Sequence, residues 1–322
     1  MGYKLSVIVP VYNKEQYIDS GLSSLLHQTL ISNMEIIIID DGSNHRTGER
    51  LKKFCQKHRN FKYFYEKNKG VSAARNFGLR MANAELVGFF DIDDYVEPAY
   101  FQNLVNEQEK YNSDITISDF EMYFSDGSKK KHRPVIEKYW DKRINMLKDF
   151  FAGNYVGNNV VDKIFKKTIV EDITFPEGYA VGEDMYFVYE AIQNSRSMYL
   201  NSSLSGYHYI FREKSAMTSK FNSKFYDPVK LSQRMLDDNK GSLKEYAYVH
   251  LIHEKCKLLE NMLKNNGVGE NREVYKQYRK DIRKINIINA FKILNKKQFL
   301  GLILMSISPQ LYLKIHDLMK IG

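Results

Sequence analysis

Three carboxylates stand within four residues, directly after an apolar run: residues 86–90 lead into Asp91, Ile92, Asp93 and Asp94. A short continuous apolar run bounded by polar residues reads as a strand buried on both faces. The carboxylates then gather at its C-terminal end. Groups this close repel one another unless something positive joins them. A divalent cation holding a phosphate is the obvious partner, because hard oxygen ligands suit Mg2+ or Mn2+. The expected chemistry is that of an enzyme handling a nucleotide.

Other polar clusters follow other strand-like runs. Asn13 follows the β-branched residues 5–9, Asp40 and Asp41 follow 35–39, and Asn68 follows the aromatic stretch 61–65. Helices are expected near residues 16–27, 47–57 and 71–81, then from Pro98, with a further strand at 114–118. Alternation of this kind implies right-handed crossovers and a mostly parallel sheet covered by helices on both faces. Ligands of such sheets bind outside the carboxyl ends of the strands, where all four polar clusters would converge. The stretch 121–210 is less regular, with helices expected at 140–151 and 183–193 and strands at 197–201 and 205–211. From Pro228 onward the pattern is helical. The fold class is therefore α/β, a mixed but mainly parallel sheet plus a helical C-terminal region. The expected domains are 1–220, with a nucleotide-binding half to about 118 and an acceptor-side half at 119–220, and a helical region at 221–322.

The chain has 322 residues, 43% apolar, and a net charge of +9. That composition is too apolar for disorder and too polar for a polytopic membrane protein. No signal peptide is expected, since the start runs directly into a strand. Cys55 and Cys256 have neither zinc spacing nor a disulfide framework, which fits a reducing cytoplasm. From Lys264 to the end there are 12 Lys/Arg against 4 Asp/Glu. Within that basic tail, residues 299–307 are almost wholly apolar yet too short to span a bilayer. They read either as an amphipathic element on an anionic membrane surface or as a helix packed on the rest of the protein.

Five pieces in order carry a family resemblance: Ser6-Val7-Ile8-Val9-Pro10-Val11-Tyr12-Asn13; Asp40-Asp41-Gly42-Ser43; Asn68-Lys69-Gly70-Val71-Ser72-Ala73-Ala74-Arg75-Asn76-Phe77-Gly78-Leu79; Asp91-Ile92-Asp93-Asp94; and Gly182-Glu183-Asp184. With them the chain resembles the family 2 inverting glycosyltransferases of the GT-A fold, in particular bacterial enzymes that build capsule, wall-polymer or lipid-linked saccharides. The likeness covers roughly residues 5–218. The family often has Ser where Ile92 stands, but the flanking aspartates remain.

The resemblance implies attack by an acceptor hydroxyl on the anomeric carbon of a UDP-sugar. A Mn2+ or Mg2+ ion would stabilise the departing diphosphate as a Lewis acid. It makes Asp184 the general base, with Glu183 its competitor. Asp93 is the first choice as metal ligand, with Asp91 on the ribose or the metal and His208 as a third metal or pyrophosphate contact. Asp41 is expected to accept from the base of the nucleotide. Pro10, Tyr12, Asn13, Glu15, Asn68 and Ile92 are expected around the nucleotide sugar, and Arg75 on phosphate or on the acidic cluster. Arg212, Lys214, Ser215 and Thr218 are expected in a loop over the diphosphate, and Lys163 on the acceptor side. The acceptor would be a saccharide or lipid-linked saccharide, at the inner face of the plasma membrane. The C-terminal region could equally build a homo-oligomer.

Two other classes stay open. A sugar nucleotidyltransferase would want a glycine-rich phosphate loop after the first strand, and the first strand here ends in Pro10-Val11-Tyr12-Asn13. A basic nucleic-acid module would want interleaved aromatics along its charged face, which the tail largely lacks; no nucleic-acid partner is expected.

Overall fold

The computed structural model describes residues 2–212 and 221–320, with backbone alone for 316–320. The loop expected at Lys214, Ser215 and Thr218 lies outside the described residues. By contact the chain divides into two units, residues 1–143 with 158–215, and residues 144–157 with 216–322.

The first unit is built on four strands, the first two rich in Val and Ile and the third aromatic. They are β1 (Leu5–Val11), β2 (Met34–Asp41), β3 (Phe61–Glu66) and β4 (Leu86–Phe89). All pair in parallel: Ile8 lies opposite Ile37 of β2, Val7 opposite Gly88 of β4, and Ile38 opposite Tyr63 of β3. The crossovers are helices α1 (Ile18–Leu26), α2 (His45–Lys57) and α3 (Val71–Met81). β2 is buried along its whole length, as a strand covered on both faces must be. Its one interior charge, Glu35, accepts from Ser6 Oγ at 2.6 Å, Asn83 N at 2.6 Å and Lys62 Nζ at 2.5 Å. Chain order sends β2 and β3 to one side of β1 and β4 to the other. The switch point between β1 and β4 is where an open α/β sheet binds its ligand.

Further strands are β5 (Tyr95–Val96), β6 (Ile115–Ile117), β7 (Phe120–Tyr123), β8 (Lys129–Lys131), β9 (Glu137–Trp140), β10 (Lys163–Lys166), β11 (Met198–Asn201) and β12 (Tyr207–Ile210). The main sheet runs β3-β2-β1-β4-β10-β6-β11-β9. β10 enters antiparallel between β4 and β6, which makes the sheet mixed. Four strands form a second sheet, β5-β12-β7-β8. Helices α4 (Tyr100–Tyr111), α6 (Lys167–Val170) and α7 (Glu183–Asn194) complete this unit.

Three local expectations are corrected. The helix expected from Pro98 begins at Tyr100, because the Pro98 carbonyl accepts from Thr29 N at 2.8 Å outside the helix. The helix expected from Trp140 begins at Arg143; Trp140 instead ends β9 opposite Met198. Strands β5, β7, β8, β9 and β10 were not expected, being two to four residues long.

The second unit is helical: α5 (Arg143–Ala152), α8 (Asp227–Asp238), α9 (Gly241–Lys264), α10 (Arg272–Arg283), α11 (Ile287–Ile293), α12 (Lys296–Ile307) and α13 (Pro309–Lys320). The 24-residue α9 is its spine, with α8, α10, α11, α12 and α13 against it. Asn295 starts α12 with a reciprocal cap to Gln298, closing two orphan amide donors. The apolar stretch of α12 is divided: Leu302 and Met305 are buried, whereas Leu300 and Ile307 are 50% and 62% exposed. Among the described residues, no helix is long and apolar enough to cross a membrane.

Candidate active site

One guanidinium organises the site. Arg75 lies on α3 and is 4% exposed. Its Nη1 donates to Asp184 Oδ1 at 2.7 Å and Glu183 Oε1 at 3.1 Å, and its Nη2 donates to Asp91 Oδ1 at 3.2 Å. The guanidinium carbon sits 5.3 Å from the centroid of the Phe175 ring. Burial opposes its charge, but Asp184, Asp91 and Glu183 outweigh burial and hold Arg75 above the usual arginine range. The α3 residues around it are small, so the helix approaches the sheet closely; Asn76 fixes the facing loop by exchanging hydrogen bonds with the Phe175 backbone. Glu183 and Asp184 begin α7, where the helix macrodipole favours negative charge. Burial pushes the Asp184 carboxyl up to about 7, with Glu183 and Asp91 adding to it against Arg75. A general base works best when its pKa lies near the working pH.

A second cation cluster faces Asp93. Lys14 Nζ and Arg212 Nη1 reach Asp93 Oδ2 at 2.7 and 3.0 Å, and Arg212 Nη2 also donates to the Asp93 carbonyl. Tyr17 lies under both cations, 5.5 Å from Lys14 Nζ and 4.3 Å from the Arg212 guanidinium carbon. Asp94 turns inward instead. It accepts from Tyr207 Oη at 2.8 Å and from Ile210 N at 2.9 Å, tying β12 to the acidic turn. Burial, reinforced by the Asp91 charge, pushes its carboxyl up to about 8.

The acidic turn is also gripped from below. A Cβ on Gly21 of α1 would lie 2.2 Å from the Ile92 carbonyl oxygen, so only glycine allows this approach. Gly21→Ala is expected to push the Asp91–Asp93 turn outward, costing about 1–3 kcal/mol as an overpacked contact and weakening the nucleotide binding expected from the sequence. Urea unfolding and UDP titration measure both; unaltered UDP affinity would separate the turn from the nucleotide.

Around the other strand ends, Asp41 is buried and accepts from Lys69 N at 2.8 Å and Gly70 N at 2.9 Å, one on each oxygen. Asn68 Nδ2 donates to the Asp41 carbonyl at 3.0 Å. Gly42, at φ +75°, leaves room for Asn68 N, which a Cβ would meet at 2.6 Å. Asp41 thus shapes the loop before α3; each carboxylate oxygen retains capacity for a further donor. Asp40 holds Ser43 N and Tyr63 Oη. Asn13, left-handed at φ 51°, ties β1 to the next loop through Ser43 Oγ and Asn44 N. Pro10 lies opposite Ile39 and Val11 ends the paired part of β1 opposite Asp40; Tyr12, just past it, is 50% exposed.

Three expected residues are held by other partners. Glu15 accepts from Arg46 at 2.7 Å and Arg50 at 3.2 Å on α2. His208 Nε2 lies 3.1 Å from Glu97 Oε1, with its ring stacked on Tyr123. Lys163 is fully buried on Asp162 at 2.6 Å and the Asn159 carbonyl at 2.6 Å, with Arg133 on the other Asp162 oxygen at 2.8 Å. Lys14, Gly21, Tyr17 and Phe175 were not singled out from sequence. Only Lys14, directly after Asn13 at the end of the first motif, offered a local signal.

Among the described residues, no group of three or more His, Cys, Asp or Glu side chains is arranged to hold a metal ion. The carboxylates still suit one. Arg75 engages Asp91 through Oδ1, and Lys14 and Arg212 engage Asp93 through Oδ2. Mg2+ is commonly held by one or two carboxylates, with substrate phosphates completing its shell.

A mainly parallel sheet with carboxylates at its switch point, flanked by a small second sheet that closes on the acidic turn, defines the GT-A architecture of nucleotide-sugar transferases. A model of the family described as Glycosyl transferase family 2 matches residues 6–171, just over half of the chain, and the chain belongs to that family. It is 28% identical over 280 residues to the minor teichoic acid biosynthesis protein GgaB of Bacillus subtilis (strain 168), covering 84% of this chain and 31% of that protein. It is 32% identical over 210 residues to the poly(ribitol-phosphate) beta-N-acetylglucosaminyltransferase TarP of Staphylococcus aureus (strain N315), covering 63% of this chain and 62% of that one. The chain thus spans less than two thirds of either relative. The crystal structure of S. aureus TarS 1-349 in complex with UDP-GlcNAc matches 99% of this chain and 92% of its own, with a TM-score of 0.69 at 22% identity, a likeness of fold.

Proposed function

We propose that the first unit transfers a sugar from a UDP-sugar to a hydroxyl of a saccharide or polymer acceptor, with inversion, in the synthesis of a cell-surface polymer. The observation that carries this reading is the fork of Arg75, which sets a carboxylate of the strand-end acidic turn, Asp91, beside Asp184 at the start of a helix. The first belongs to the donor side and the second to the acceptor. Asp184 takes the proton of the acceptor hydroxyl as its oxygen attacks the anomeric carbon, and UDP departs from the opposite face. Lys14 and Arg212 stand at Asp93 ready to pair with diphosphate oxygens. Asp91 and Asp93 would hold a divalent cation, which supplies Lewis-acid stabilisation of the departing diphosphate when bound. Tyr12, Pro10, Asn13, Asp41 and Asn68 surround the nucleoside. UDP-GlcNAc in the TarS structure and the poly(ribitol-phosphate) of TarP's name support a UDP-N-acetylhexosamine donor and a polymeric acceptor. The basic second unit rests on the anionic cytoplasmic face of the membrane.

Calorimetry with UDP, with and without Mn2+, tests the donor side. Binding is expected to tighten with the metal, and a panel of nucleotide sugars should release UDP from one member at least. No UDP binding under either condition, with no release from any sugar, would overturn the reading.

A further inference from the structure

The helical unit contains a cavity of about 420 Å³ between α9, α12 and α13, within the size range of small-molecule sites. Its walls include Cys256 of α9, Leu300, Leu302 and Leu304 of α12, and Tyr312 of α13. Burial, with Lys257 nearby, pushes the lining His253 down to about 3, so its imidazole is uncharged at neutral pH. The one lining carboxylate, Glu260, is answered by Lys264 at 2.5 Å and Tyr312 Oη at 2.9 Å. The interior is therefore suited to an aliphatic chain.

The rim has the opposite character. Lys257, Lys296 and Lys297 border the cavity, and Leu300 there is half exposed. The surface continues onto α11, whose Phe291 packs on Phe299 of α12 at 5.1 Å between centroids. Ile287, Ile288 and Phe291 are each more than half exposed. Residues 282–316 carry six Lys/Arg and no Asp or Glu. A second copy packed isologously would set this basic surface against itself. Anionic headgroups meet its charge, at about 1 kcal/mol per Lys or Arg near such a membrane.

We propose that this cavity receives one acyl chain of an anionic glycerophospholipid, with its phosphate held at the mouth by Lys296 and Lys297. The second unit then grips individual lipids in addition to lying on the membrane. This rests on the reading that the unit meets an anionic membrane, but it needs neither donor nor transferase activity.

The test uses the full chain and phosphatidylcholine vesicles with or without phosphatidylglycerol whose acyl tail carries a diazirine. Photolysis followed by peptide mapping is expected to place the tail on Cys256, Leu302, Leu304 or Tyr312. Gly301→Leu puts a side chain where even a Cβ would lie 3.3 Å from the Tyr312 ring; it is expected to abolish those adducts while sedimentation with the vesicles persists. Lys296→Gln with Lys297→Gln is expected to weaken sedimentation about 30-fold, from two charges at about 1 kcal/mol each. Circular dichroism of both variants verifies folding, and the mapping itself uses the native sequence. Adducts confined to exposed Ile287, Ile288 and Phe291 would overturn tail insertion while leaving membrane contact standing. Equal binding to vesicles lacking phosphatidylglycerol, or self-association that shields these residues from the label, would overturn the proposal.

Discussion

Asp184→Asn is expected to lower kcat by about 10²–10⁴, the usual worth of a positioned general base, with UDP affinity unchanged. The amide keeps an oxygen where Asp184 Oδ1 accepts from Arg75 at 2.7 Å, so the fork and Asp91 hold their places. What disappears is the ability to take a proton. The native enzyme should betray the same group through pH. Burial raises the Asp184 carboxyl to about 7, and only its ionised form accepts the acceptor's proton. Below that value log kcat should fall by about one unit per pH unit, while the residual rate of the Asn variant stays flat. Steady-state kinetics at saturating donor from pH 5 to 9 measures both. A variant that keeps native kcat would move the base elsewhere, with Glu183 the first place to look.

Arg75→Met is expected to be the most damaging single substitution for folding. Three carboxylates, on Asp91, Glu183 and Asp184, converge on this guanidinium, which is 4% exposed. Removing one partner of a buried ion cluster leaves the others uncompensated, at about 3–5 kcal/mol. An exposed pair would cost only about 0–1 kcal/mol. The loss should depend on pH in a definite direction. Without Arg75, the Asp184 carboxyl, already raised by burial, binds its proton more readily in the folded state than in the unfolded one. The deficit is therefore greatest where Asp184 is ionised and shrinks as pH falls through its folded value. Arg75→Lys should recover only part, because an ammonium lacks the planar fork that serves Nη1 and Nη2 partners together. Urea unfolding of the native protein and both variants at pH 8 and pH 5.5 provides the comparison. A deficit under 1 kcal/mol at pH 8 would reduce Arg75 to a surface pair.

The central strands were plain in the sequence because β1, β2 and β4 are buried on both faces and so must be continuous in Val, Ile, Leu and Phe. Their spacing by helices gave the parallel order, and the carboxylates after β4 marked the strand end at which the site forms. Arg75 stood out because small residues flank it. What could not be read was whatever depends on distant pairing. Lys14 meets Asp93 across 79 positions and Arg212 meets it across 119; nothing local in either marks the partner. β5 is two residues long, too short for any periodicity. Glu15 read as a nucleotide-pocket residue, yet Arg46 and Arg50 one helical turn apart draw it to α2. Asp41 read as a base acceptor from its place after β2. That its oxygens also hold two backbone amides depends on how the chain returns at Lys69 and Gly70.

The tie between Asp94 and Tyr207 spans 113 positions, and this fixes an order of events during synthesis. When residues through Val170 have left the ribosome, β1 to β4 are all present, and so are the aspartates of the turn. Yet Glu183, Asp184, Tyr207 and Arg212 have still to emerge. Contacts of such long sequence separation form slowly, since the intervening chain must first close. The nascent chain therefore passes through a stage with the parallel strands β1 to β4 in place and an unanchored acidic turn. Competence for chemistry arrives late in translation, with the last strand of the smaller sheet.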